Sequence, residues 1–82
     1  MVDIFDEGDE FVIVGELPGI EASDIQMEFV GDILQLRAER GTRRYAKELL
    51  LPAVVDAERA QLSYTNGIME IRVPKAAKGA KS

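Results

Sequence analysis

The side chains best equipped for chemistry in this chain are carboxylates, and they have little company. Its 82 residues include no histidine and no cysteine. Ser-His and Cys-His catalysis, imidazole and thiolate metal ligation, and disulfide bonding therefore drop out together. Asp6-Glu7 and Asp9-Glu10 flank Gly8. They offer oxygen ligands to a hard cation, but a loop with useful calcium affinity needs more oxygens at regular spacing, so a solvated acidic turn is the reading. Acid–base catalysis by an Asp or Glu requires a pocket and a substrate anchor, and no such constellation stands out. Gly8, Gly15 and Gly19 match neither the GxGxxG nor the Walker spacing for cradling phosphate. Arg40, Arg43, Arg44 and Lys47 surround Tyr45, a basic cluster with an aromatic, and read as a solvated or pairing face. The residues thus predict no enzyme, no catalytic group, no metal and no cofactor.

Charge is distributed unevenly. Met1–Leu36 hold ten acids and no base, and Arg37–Ser82 hold five acids and ten bases, giving −10 and +5. Nucleic-acid binders usually present a net basic domain, whereas here the acidic half repels phosphate. The pattern predicts acidic and basic strands lying side by side in one fold, attracting each other in a salt-sensitive way. Apolar residues are 46% and charged residues 30%, the balance of a single soluble globular domain. Apolar runs such as Leu49–Leu51 fall far short of the ~20 residues that span a bilayer. No basic-then-apolar leader opens the sequence, so the expectation is a cytoplasmic protein with no membrane partner.

The elements that position these groups are short. Turn signals recur at Gly8-Asp9, Pro18-Gly19, Gly31-Asp32, Arg40-Gly41, Pro52, Asn66-Gly67 and Pro74, a spacing that predicts an all-β sandwich or barrel. A weak strand is expected over Val2–Asp6. Glu10–Leu17 carries apolar residues at both parities and reads as central, with Gly15 marking a bulge or a close backbone approach. One helical turn capped by Ser23 or Asp24 precedes Ile25–Val30, where Ile25, Met27 and Phe29 share a face. Ile33–Glu39 returns as a hairpin, and Arg40–Arg44 is read as a basic turn. Tyr45–Leu51 follows, then a connection with a short turn capped by Asp56. Ala60–Thr65 and Ile68–Val73 flank Asn66-Gly67, a strong hairpin signal.

Three strings now stand out: Glu16-Leu17-Pro18-Gly19-Ile20, Tyr45-Ala46-Lys47-Glu48-Leu49-Leu50-Leu51-Pro52, and Leu62 through Asn66-Gly67-Ile68-Met69-Glu70-Ile71-Arg72-Val73-Pro74-Lys75. In this order they resemble the small heat-shock protein, or α-crystallin, domain over nearly the whole chain. The resemblance implies an immunoglobulin-like antiparallel β-sandwich of about seven strands. It implies residues 1–75 as the domain and 76–82 as a flexible basic tail. It also implies an ATP-independent holdase chaperone that binds exposed apolar segments of unfolded clients and self-associates. The client groove would run between Ile25–Val30 and Leu62–Thr65, with Ile25, Met27, Phe29, Leu62 and Tyr64 as its lining; the same five fit an ordinary core.

The chain departs from the pattern in four places. Leu62 stands where the family has a small Ala, Lys47 where it has Arg, and Leu49 where it has a second aromatic. Between Arg40 and Tyr45 there is no room for the long loop and exchanged strand of many members. The expected state is a monomer or a weak dimer through the edge carrying Tyr45, Lys47 and Leu49, paired with its own copy as in animal members. A sandwich that binds one dedicated partner, of the CS co-chaperone or arsenical-pump-associated type, is the alternative.

Overall fold

The computed structural model describes residues 2–76. Seven strands follow the turn signals closely: β1 Val2–Asp6, β2 Glu10–Glu16, β3 Ile25–Val30, β4 Ile33–Arg40, β5 Arg43–Leu50, β6 Gln61–Thr65 and β7 Ile68–Pro74. Single 3₁₀ turns sit at Ala22–Asp24 and Ala57–Arg59. The strands form two antiparallel sheets, ordered β1-β2-β7-β6 and β3-β4-β5. This is the all-β sandwich that the turn spacing predicts.

Each sheet buries one parity. In β2, Phe11 and Ile13 point inward beside Ile71 and Val73 of β7, and all four are at most 1% exposed. In β4, Leu34, Leu36 and Ala38 supply the facing layer. Leu51 and Met69 close the core, and no polar or charged residue is buried among the described residues. Removing each large apolar side chain from water contributes about 1.5–3 kcal/mol, so this compact cluster supplies much of what holds the sheets together. β2 is a central strand because β1 and β7 flank it, and its outward Val12 is buried as well, at 7% exposure.

Four local expectations need correction. Pairing runs unbroken through Gly15, which faces Val2 on one side and Met69 on the other, so there is no bulge. The basic turn is only Gly41-Thr42: Arg40 pairs with Arg43, and the cations belong to strands. β5 accordingly begins two residues earlier than its apolar pattern suggests and stops at Leu50. The first 3₁₀ turn begins after Glu21, whose amide donates to the Asp24 carboxylate at 2.8 Å, so Asp24 caps from inside the turn.

Opposite charges do meet across the two halves of the sequence. Arg72 reaches Glu10 at 2.8 Å, Lys75 reaches Asp6 at 2.8 Å, and Arg40 reaches Asp24 at 2.6 Å. Chain order explains this, since β2 pairs with β7 and β3 with β4. Lys75 also pairs with Val55 and extends over the Phe11 ring at 4.9 Å. Of the expected tail 76–82, only Ala76 falls within the described residues, and its amide donates to the Val54 carbonyl at 2.9 Å.

Candidate functional site

The three sequence strings converge on one turn. β2 ends at Leu17-Pro18-Gly19, where Gly19 adopts φ +86°. The Leu17 amide donates to the Gly67 carbonyl at 2.8 Å, tying this turn to the β6–β7 hairpin. The Tyr45 hydroxyl of β5 donates to the Pro18 carbonyl at 2.8 Å, and the Tyr64 hydroxyl of β6 donates to the Leu17 carbonyl. The Arg43 side chain lies directly over Gly19, where a Cβ would collide with its Nε and Cδ. One turn is thus held by both sheets. Asn66 at φ 53° and Gly67 at φ 81° give the hairpin the left-handed pair its two-residue turn requires.

The sequence offers Tyr64 as groove lining or ordinary core and Tyr45 as a dimer edge, and neither reading includes this clamp. A signal was available. Both tyrosines sit at inward parity, and a tyrosine with its ring in a core normally gives its hydroxyl a partner.

The clamp also fixes how the sheets stack. Val2 of β1 shares a cleft of about 20 Å³ with Tyr45, Ala46 and Lys47 of β5. β1 therefore overlies β5 on one side of the sandwich, which puts the other two edge strands, β6 and β3, on the opposite side. Ile25, Met27 and Phe29 line the inner face of β3 against Ala38, Leu36 and Leu34. Leu62 and Tyr64 line the inner face of β6 against Ile71 and Met69. All five are half-buried and pack on the core. A seam results, with apolar walls and two strands whose outer backbone groups have no partner strand among the described residues.

On the other side, β5 carries Tyr45, Lys47 and Leu49 at one parity, opposite Ala38, Leu36 and Leu34. Tyr45 and Leu49 are half-buried and Lys47 is exposed. The acidic β1–β2 loop assembles no group of three or more metal-type ligands among the described residues. Three open hollows of about 420, 440 and 450 Å³ lie on polar surface, lined by groups such as Gln26, Gln35 and Arg37, or Glu10, Arg59 and Arg72. None resembles the apolar, enclosing cavity of a small-molecule site.

The Hsp20/alpha crystallin family model matches residues 3–82. The chain belongs to this family. It is 29% identical over 91 residues to 18 kDa antigen 1 of Mycobacterium intracellulare, covering 94% of this chain and 61% of that protein. It superposes on hspA of Xanthomonas axonopodis with a TM-score of 0.83 at 32% identity, covering 93% and 92% of the two chains. A small heat-shock protein of Xylella fastidiosa, described as having a distinct high order structure, matches at TM-score 0.82 and 28% identity, covering 100% and 90%. The chain spans 61% and 60% of the length of the first two curated relatives it matches. Small heat-shock proteins are ATP-independent chaperones and not enzymes, so this is a domain of a chaperone family. No helix among the described residues is long and apolar enough to cross a membrane.

Proposed function

We propose that this domain is a holdase module which captures extended apolar segments of unfolded clients in the seam between β3 and β6. The observation that carries the reading is the row Ile25, Met27 and Phe29 facing Leu62 and Tyr64, half-buried along two free strand edges on one side of the sandwich. An extended peptide can add backbone hydrogen bonds along such an edge while its alternate side chains enter the apolar wall. Binding of this kind uses no nucleotide, metal or cofactor. The proposed compartment is the cytoplasm. Alone, the domain is a monomer or a weak dimer, with Tyr45, Lys47 and Leu49 at the contact edge.

One seam per chain limits affinity, because display of many copies raises avidity without any new contact. Light scattering of a heat-aggregating client tests the reading. Partial suppression that needs a molar excess of the domain is expected. Met27→Ser, at a half-buried position, should reduce that suppression while a circular-dichroism melt shows the domain still folded. Unchanged suppression in Met27→Ser would overturn the seam as the client site.

A further inference from the structure

The outer faces of the two sheets differ in how their side chains are satisfied. On the β1-β2-β7-β6 sheet, Arg72 reaches Glu10 at 2.8 Å and Glu70 at 2.7 Å, so the charges in the middle of that face are paired. The β3-β4-β5 sheet ends differently. Val30, Ile33 and Leu50 stand in register across its three strands, on the parity opposite the core-facing Phe29, Leu34 and Leu49. Val30 is 54% exposed and Leu50 70%, with Ile33 half-buried between them. The next row of this face is Glu28, Gln35 and Glu48, all exposed. Gln35 donates to the Glu48 carboxylate at 3.1 Å, and neither glutamate has a basic partner among the described residues. Arg37 stands one row further on.

We infer that this end of the outer face is a docking surface for a basic amphipathic helix of a partner protein. The apolar row and the acidic row lie side by side and together select the occupant. The ledge runs across the strands, and the backbone of β4 is already paired on both sides. The face therefore offers side chains alone, and a segment lying on it must satisfy its own backbone hydrogen bonds, as a helix does. Spacing agrees. Strands about 4.8 Å apart put Val30 and Leu50 about 10 Å apart, and a helix advances about 10.5 Å from i to i+7. Apolar side chains at i, i+4 and i+7 thus meet the three residues of the ledge in turn. Glu28 and Glu48 repeat the same span one row, about 7 Å, along the strands. Lys or Arg at i+1 and i+8, on one flank of the apolar stripe, reach them, and charge complementarity fixes which way the helix lies. The same acidic row repels an anionic lipid surface.

This face is separate from the seam, whose residues sit at the opposite parity of β3, and from Tyr45, Lys47 and Leu49, at the opposite parity of β5. NMR titration of the whole chain with an Ala-rich helical peptide of about 18 residues tests the inference. The peptide carries Leu at i, i+4 and i+7 and Lys at i+1 and i+8. Shifts are expected at Glu28, Val30, Ile33, Gln35, Glu48 and Leu50, and not along Leu62–Tyr64. Leu50→Ser and the double variant Glu28→Lys/Glu48→Lys should each weaken binding about tenfold. Raised salt should weaken binding to the unaltered chain. A peptide with Glu in place of both Lys should bind the double variant better than it binds the unaltered chain. All three altered positions are exposed, and circular dichroism checks that the variants remain folded. Equal binding of the Lys and Glu peptides by the unaltered chain overturns the inference, as does the absence of shifts on this face at millimolar peptide. Shifts confined to β3 and β6 inner-face residues overturn it while leaving the seam reading standing.

Discussion

Gly19→Ala separates the two reasons for glycine in the clamped turn. Its φ of +86° lies in the left-handed region, where an L-residue with a Cβ costs about 1–2 kcal/mol. The new methyl would also collide with Nε and Cδ of the Arg43 side chain. That collision is with the far part of a flexible, exposed side chain, so Arg43 can swing aside and the backbone cost should dominate. The expected loss is about 1–2 kcal/mol, which for a domain of this size lowers Tm by about 4–16 °C. Thermal and urea unfolding of Gly19→Ala, Arg43→Ala and the double variant give a cycle that isolates the steric part. In the Arg43→Ala background the glycine substitution should retain most of its cost. Gly41→Ala, at φ +61° with nothing within 4 Å, should lose a comparable amount. If Gly19→Ala becomes neutral once Arg43 is trimmed, steric approach and not backbone conformation is what the turn demands, and the reasoning fails.

Tyr64→Phe removes the donor to the Leu17 carbonyl and should destabilise by about 1–2 kcal/mol, more than Tyr45→Phe, whose bond is exposed; equal melting curves for Tyr64→Phe and the unaltered chain would refute the clamp. The Asp24 carboxyl is held below its ordinary 3.8 first by the hydrogen bond from Arg40 and then by the Glu21 amide. A depressed folded-state value means this contribution is present above pH 3.8 and is lost as pH falls through the lowered value. Urea titrations should therefore show an acid-side decline that is shallower in Asp24→Asn.

Strand positions and the inward parity of β2, β3, β4 and β7 were legible because alternation leaves a direct trace: Ile25, Met27 and Phe29 face inward as their spacing requires. β5 was less legible at its start because Arg43 and Arg44 are polar on both faces, and an exposed edge strand needs no alternation there. Of the two readings of Gly15, a bulge or a close backbone approach, pairing on both sides removes the bulge; a glycine in a strand looks the same in sequence whether it bulges or pairs. Sequence placed Tyr45 and Tyr64 on the right strands, but their shared target at Leu17-Pro18 depends on the stacking of two sheets, which no local pattern encodes.

The β3–β6 seam is proposed to receive extended apolar peptide, and NMR titration of the domain with a peptide carrying Ile-x-Ile measures this directly. Leu62, half-buried on the inner face of β6, is expected to fill part of the seam, so affinity should be weak, about 100 μM or poorer, near −5.5 kcal/mol or less favourable. Shifts should be confined to Ile25–Phe29 and Leu62–Tyr64, and Leu62→Ala should tighten binding. Shifts confined to other strands, or none at millimolar peptide, would contradict the seam and place a dedicated-partner sandwich ahead of the holdase.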